Sequence, residues 1–381
     1  MSVKNHILFV GDIMPGGFFH YMENDSTISN ELRDFMLSHS IRVGTLESAI
    51  GNDYEFDKVK IRGRNNLIYS KNEDIELLKY LHIDVVSLAN NHTFDLCEGG
   101  LLNTIDICNK HGIKTCGAGK NIEESRNPAI VIVNGKSIAF LAYCAIENKS
   151  MGYVKYATSD EPGIAPLILD LVREDIEKCK KKYHYVIVLP HWGEEENYFP
   201  FPSDVSLAKR MIDFGADAVI GSHTHRISPN IKYKCKPIFF SLGNFMFPDY
   251  YMVPPRPISY PSPDDVTRFK RVLGYPFPIE CPSVQVWEGK CRIGMAASIS
   301  IDNLKAKYQL TCLSSSNLVS FFHRWSLPLK RLRMKIMGLC ITSGYYEWIY
   351  SHYYSKKNYL RNAIHWIVKK MHINFDEPIG L

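Results

Sequence analysis

The chain has 381 residues, 45 % hydrophobic, 12 % aromatic and 22 % charged, with a formal net charge of +5. Such a composition excludes a disordered or low-complexity protein and provides for one large core, or for one large and one small domain. Residues 318–381 hold ten Lys/Arg against three Asp/Glu, a net of +7, which leaves the first 317 residues at −2, so the basic character belongs to the tail.

No uninterrupted apolar run is long enough to span a bilayer, and Met1-Ser-Val-Lys-Asn-His-Ile leads straight into a strand without the apolar stretch of a secretory signal. The expected location is the cytoplasm. The ten cysteines contain no CxxC pair and lie mostly in apolar or helical surroundings, as thiols kept reduced do. Only Cys281 and Cys291, across an expected hairpin, leave a disulfide open.

In chain order, His6–Val10 reads as a buried strand ending at Gly11-Asp12. The loop after it, Ile13-Met-Pro-Gly-Gly17, lacks the G-x-G-x-x-G spacing of a dinucleotide site, so what remains is an acid at a strand's C-terminal end, where open α/β sheets hold ligands. Asp34–Ser38 belongs to a helix, and Ile41–Leu46 to a strand ending at Glu47. Asn52–Arg64 is a polar loop or hairpin near the mouth of the prospective site. Lys60, Arg62 and Arg64 alternate along it and would share one side of an extended segment, either as an anion-holding set or as a solvated edge.

Asn72–Leu81 has helical apolar spacing at Ile75, Leu77, Leu78 and Leu81. Asp84–Leu88 is a strand that ends in Ala89-Asn90-Asn91-His92-Thr93-Phe94-Asp95, whose polar groups, if buried, need a cation or a hydrogen-bond network. Gly99–His111 reads as a helix. Ala129–Asn134 and Lys136–Tyr143 form a hairpin about Asn134-Gly135, and Ser150–Pro166 is a long loop. A helix over Leu167–Lys182 precedes the strand Tyr185–Leu189, which ends in Pro190-His191-Trp192-Gly193.

Ser203–Phe214 is a helix, Asp217–Ile220 a buried strand, and Gly221 supplies the sharp turn before His223 and His225. A regular strand would send those two rings to opposite faces, so they converge only on irregular backbone. Pro237–Leu242 is a strand ending in Gly243-Asn244-Phe245. The repeated unit of strand, polar end and helix predicts a parallel or mostly parallel sheet with helices on both faces.

Pro254–Pro282 reads as an irregular excursion, and Val284–Trp287, Arg292–Ile301 and Tyr308–Leu313 as antiparallel strands closing the core. A boundary at 315/316 then separates a core domain, 1–315, from a basic, aromatic-rich helical extension, 316–381. Phe321–Cys340 and Tyr345–Met371 are expected amphipathic helices that pack on the core, pair between copies or lie on anionic lipid.

Asp12, Glu47, Asn91, His92, His191, His223 and His225 all stand at strand ends. In a parallel sheet these ends share one edge, where one carboxylate can bridge two cations while imidazoles and an amide oxygen complete their shells. Such donors suit Mn, Zn or Fe better than an all-oxygen magnesium site.

Those pieces, together with Gly163-Ile-Ala-Pro-Leu167, His191-Trp-Gly193, Gly221-Ser-His-Thr-His225 and Ser241-Leu-Gly-Asn-Phe245, resemble in order the bacterial capsule-synthesis CapA family. That family is associated with poly-γ-glutamate production and resembles the calcineurin-like metallophosphoesterases. The resemblance implies an α/β fold, a four-layered sandwich, with one or two divalent metal ions at the strand ends. It would place Asp12 and His225 on one metal and Asn91, His191 and His223 on the other, with Glu47 near or between them. His92 would be a general acid or electrostatic group oriented by Asp95. Three positions depart from the pattern: Met14 replaces the usual His two residues after the first Asp, Thr45 a common Asn, and Glu196 a Tyr.

The implied function is a metal-dependent hydrolase, phosphoesterase-like, in capsule or poly-γ-glutamate-type polymer metabolism, with Lys60, Arg62 or Arg64 holding an anionic small molecule or polymer. The same centre would serve hydrolysis or transfer at a γ-glutamyl amide. A non-catalytic metal-binding subunit of a polymer-synthesis complex is the rival. Ser222 has no G-x-S-x-G elbow and reads as a hydrogen-bond donor to a ligand, Cys144 as an inert buried thiol. No P-loop and no nucleic-acid reader motif occurs, and nucleic acid is not an expected partner. The extension is the candidate for peripheral contact with an anionic membrane surface.

Overall fold

The computed structural model describes residues 3–52, 67–146, 154–254, 256–262, 264–265, 269–273, 281–323 and 326–353. Its organisation follows from side-chain alternation in the strands. In Lys136–Cys144, the residues Ile138, Phe140, Ala142 and Cys144 enter one apolar cluster while Ala139, Leu141 and Tyr143 enter another. Tyr185–His191 divides in the same way, with Ile187 and Leu189 on one side and Val186 and Val188 on the other. A strand apolar on both faces must be covered on both.

The first face meets a second sheet, where Phe9 and Phe140 bring their ring centroids to 6.3 Å. The other face takes Val172, Ile176 and Cys179 of the helix Leu169–Lys180, spaced i, i+4, i+7, and Val205, Ala208, Met211 and Ile212 of the helix Pro202–Phe214.

The six-stranded sheet runs Asn230–Tyr233, Lys236–Phe239, Ala218–Ile220, Tyr185–His191, Lys136–Cys144, Ala129–Val133, with its four inner strands parallel and its two edges antiparallel. In the eight-stranded sheet, Val3–Ile13 lies parallel to His39–Leu46 and to Asn244–Met246, and the parallel order continues through Val85–Ser87 to Lys114–Cys116. On its other side Ile293–Ser300, Ala306–Leu313 and Val319–Phe321 are antiparallel. The expectation of one mostly parallel sheet with helices on both faces is therefore corrected to two mixed sheets that bury a face against each other. Strand polarity beyond the helix-linked units is a long-range property that local pattern does not carry.

A second correction concerns the Pro- and Tyr-rich excursion. Tyr250–Val253, Arg256–Ser259, Lys270–Leu273 and Ser283–Val286 form a four-stranded sheet of their own, so the expected strand Val284–Trp287 serves this sheet and not the core. Pro257 is tolerated because Arg256–Ser259 is an edge strand, where a missing amide hydrogen costs no ladder bond. Cys281 and Cys291 are both free thiols, which removes the disulfide alternative.

The C-terminal part is docked over the described residues. The helix Leu327–Thr342 sends Met334 into the core shared by the sheets, and Ile341, Tyr346 and Tyr350 join the cluster beneath the helices. The Tyr346 hydroxyl donates to the Pro200 carbonyl at 2.7 Å. Val319–Phe321 carries the large sheet past the expected boundary at 315/316. Among the described residues no helix is long and apolar enough to cross a membrane.

Candidate metal centre

The parallel strands deliver their C-terminal ends to one edge. Asp12 pairs in register with Asn244, Glu47 follows the strand His39–Leu46, and His191 closes Tyr185–His191. Close backbone approach makes this possible at two glycines. A Cβ on Gly11 would lie 1.7 Å from the Gly243 carbonyl oxygen, and one on Gly221 would lie 2.1 Å from that of Phe240. His223 and His225 adopt φ of 96° and 53°, left-handed backbone uncommon for residues other than glycine, and both rings reach the same site. Irregular backbone does what a strand could not.

Two overlapping triads result, Glu47–His191–His223 and Asp12–Glu47–His225, each with ligand atoms within 4.8 Å of one another. All five residues are buried. His191 Nε2 lies 2.8 Å from Asn91 Oδ1, 3.1 Å from His223 Nδ1 and 3.7 Å from Glu47 Oε1. His225 Nε2 is 3.6 Å from Glu47 Oε1, and its Nδ1 is 3.8 Å from Asp12 Oδ2. Neither oxygen of Glu47 accepts a hydrogen bond, and Asp12 Oδ1 has none.

Those orphaned atoms are the test of a cation site. A buried carboxylate without donors costs several kcal/mol unless it takes a proton or meets positive charge. Burial pushes the Asp12 carboxyl up to about 7, against the opposing pull of the His223 amide. Glu47 stands well above the ordinary carboxylate range, first through burial and then through the like charges of Asp12 and Glu195. Burial and neighbouring imidazoles hold His191 and His223 well below the usual histidine value, and burial brings His225 to about 4. Neutral rings therefore turn lone pairs toward Glu47, which has no donor, and Asp12, whose Oδ2 accepts only the His223 amide at 3.4 Å, an arrangement complementary to a divalent cation.

The flanking groups orient the rings. Ser222 Oγ lies 2.9 Å from His191 Nδ1, and Asn244 Oδ1 lies 2.8 Å from His225 Nδ1. Such partners set which ring nitrogen is left for a metal. The Trp192 indole donates to the Phe240 carbonyl at 2.9 Å and pins the strand end carrying His191. On the other flank, the His225 ring is walled by Trp287 and Phe247, with centroids 4.9 and 5.3 Å away. Met14 is buried in that aromatic cluster.

His92 Nδ1 is 2.7 Å from Asp95 Oδ2, which also accepts the Ile68 amide, so Asp95 holds the ring with Nε2 as its remaining nitrogen. Asn90 ties the segment down, donating to the Leu46 carbonyl and accepting from the His92 amide. Asp12, Glu47, Asn91, His191, His223 and His225 thus lie together in space, with the His92–Asp95 pair on the same strand-end segment as Asn91. Lys60, Arg62 and Arg64 lie outside the described residues.

Asn244 and Glu195 stand at the site in addition to the residues expected from the sequence. Asn244 sits in Ser241-Leu-Gly-Asn-Phe245 at another strand end, a position that could have drawn attention to it. Burial pushes the Glu195 carboxyl up to about 7, with the charge of His92 acting the other way, which makes it a third acid sensing this centre. Its signal was the acidic run Glu194–Glu196 directly after His191-Trp-Gly193.

The chain is 28 % identical over 243 residues to the PGA biosynthesis protein CapA of Bacillus subtilis, covering 63 % of this chain and 62 % of that protein. It is 34 % identical over 188 residues to the capsule biosynthesis protein CapA of Bacillus anthracis, covering 48 % and 45 %. The chain thus spans less than two thirds of the length of these curated relatives. A 5'-nucleotidase structure from Candida albicans aligns over 88 % of this chain and 58 % of that one, at 9 % identity and a TM-score of 0.40, too distant to carry an argument. Residues 6–249, which contain every proposed ligand, match the family described as bacterial capsule synthesis protein PGA_cap, and the chain belongs to that family.

Proposed function

We propose that this protein is a metal-dependent hydrolase of the phosphoesterase type, acting on an anionic small molecule or polymer in capsule or poly-γ-glutamate-type biosynthesis. The observation that carries the reading is Glu47, wholly buried with both oxygens lacking donors, between one pair of imidazoles and the Asp12–His225 pair. Asp12, Glu47, Asn91, His191, His223 and His225 would hold one or two ions of Mn, Zn or Fe. A bound divalent ion supplies positive charge against which an oxygen under attack becomes negative. The four-layered metallophosphoesterase sandwich belongs to this reading.

His92 is the proton-handling group. Asp95 on Nδ1 fixes the ring and leaves Nε2 as the nitrogen that can give a proton to a leaving oxygen or take one from an attacking oxygen. Lys60, Arg62 and Arg64 supply cations for an anionic substrate. The names of the two relatives, a PGA and a capsule biosynthesis protein, support the polymer context. A γ-glutamyl amide would meet the same residues.

The second reading is a non-catalytic metal-binding subunit of a polymer-synthesis complex. It is favoured by the burial of the whole ligand set and by Met14, which fills an apolar cluster where a further ligand would stand. One experiment separates the readings: metal content by mass spectrometry, with turnover of phosphoesters and γ-glutamyl oligomers measured on the same sample. Bound metal with turnover that disappears in His92→Ala supports the hydrolase, and the active substrate names the bond. Metal without turnover on any substrate supports the subunit, and absence of metal after reconstitution with Mn or Zn sinks both.

A further inference from the structure

The helix Leu327–Thr342 has two apolar faces where one suffices for packing. Met334, Met337, Gly338 and Ile341 form the buried face, and Gly338 sits so close to the strand Asn230–Tyr233 that a Cβ there would lie 3.0 Å from the Asn230 carbonyl oxygen. On the opposite face, at spacing i, i+3, i+7, i+10, stand Leu329, Leu332, Ile336 and Leu339, respectively 60, 53, 52 and 63 % exposed. A 3.6-residue period puts these four on one stripe. Just beyond the helix, Tyr345 and Trp348 are also exposed.

The same period puts Arg331 and Lys335 on one border of the stripe and Arg333 on the other, all three exposed. Arg331 donates to Gln309 Oε1 and Arg333 lies over the Tyr198 ring, neutral partners that leave both charges uncompensated among the described residues. No Asp or Glu occurs between Leu327 and Gly344. An apolar stripe flanked by cations on long aliphatic stems suits a surface that is apolar inside and anionic at its rim, where the stems bury and the charges stay at the boundary. Exposed Trp and Tyr belong to the same chemistry, because their rings settle at headgroup level. A second copy is the poorer occupant, since antiparallel pairing of this face would set Arg331, Arg333 and Lys335 against their twins with no acid in the helix to neutralise them.

We propose that the outer face of Leu327–Thr342 docks this protein on an anionic lipid bilayer, lying in the interface without crossing it. The helix is held from behind by the core, so the stripe is presented as a rigid ridge and binding requires no folding of the helix. Each cation near an anionic surface strengthens binding about fivefold, and each leucine-sized side chain adds its apolar burial.

The test is co-sedimentation of the full chain with phosphatidylcholine vesicles, with and without phosphatidylglycerol. The expected result is sedimentation with the anionic vesicles only, reversed by raised salt as the charges are screened. Lys335→Glu should weaken it about fivefold or more, and the triple variant Leu332→Ser/Ile336→Ser/Leu339→Ser by at least about tenfold. All substituted side chains are exposed, and a thermal unfolding midpoint equal to that of the unaltered chain verifies folding. The proposal is overturned if the chain ignores anionic vesicles, or if the triple variant binds unchanged. It is also overturned if ultracentrifugation shows a dimer that the triple variant dissolves, which would assign the face to a second copy. Vesicle binding is read without turnover, so its outcome is independent of the hydrolase reading.

Discussion

The two halves of the candidate centre share Glu47 but are built differently. On one side, His191 Nε2 has Asn91 Oδ1 and His223 Nδ1 at 2.8 and 3.1 Å, and Ser222 orients the His191 ring. On the other, His225 stands 3.6 Å from Glu47 and 3.8 Å from Asp12, and the next candidate position, Met14, has turned into an apolar wall with Trp287 and Phe247. The tight half has three donors besides the shared Glu47, the loose half two. Affinity for a divalent ion should therefore be concentrated on the His191 side.

The largest expected effect is on that side. His191→Ala removes the nitrogen on which Asn91, His223 and Glu47 converge, and should lower metal affinity by more than about 100-fold, beyond the range seen for groups that only orient a ligand. Asp12→Asn should cost less, about tenfold, because the tight half stays whole. Titration calorimetry on both variants checks the order. Equal losses would mean that a single ion is held jointly by both halves.

The pH dependence is the next largest effect. The Asp12 carboxyl has its pKa raised to about 7, so it is protonated below that pH and must lose its proton to a metal. His225, lowered to about 4, is already neutral across this range and does not limit binding. Affinity should therefore fall as pH drops through 7, by up to about tenfold per unit for each proton displaced, with protons released on binding. Calorimetry in buffers of different ionisation enthalpy counts those protons, and a flat profile from pH 8 to pH 6 would contradict the burial argument.

The smallest effects sharpen the comparison most. Ser222→Ala frees the His191 ring, while Asn244→Ala frees that of His225. Each should weaken binding about tenfold, at the low end for such partners. If the halves hold separate ions, each variant should change one of two binding steps; with one ion, both act on the same step.

Much of the centre was readable in the chain because each ligand ends a strand-like apolar run. Leu46-Glu47, Asn91-His92 and Pro190-His191 carry that signal locally, and glycines mark where the backbone must turn or approach closely. Asn244 was harder to assign, since its contact with His225 depends on pairing of Asn244–Met246 with the first strand. The exposed stripe on Leu327–Thr342 could not be told from a buried one by periodicity, because both faces of the helix are apolar.

What the sequence determined by itself was therefore local: the alternation of strand and helix, the polar residues closing each strand, the family pattern over residues 6–249, and the basic tail. The tertiary structure decided what depends on contacts far apart in the chain. It split the strands between two mixed sheets, assembled a third sheet from the proline-rich segment, and brought Glu47 between histidines more than a hundred residues away. The physical reason is that side-chain period is written into neighbouring residues, whereas strand partnership and helix docking are chosen by the apolar surface that remains to be covered.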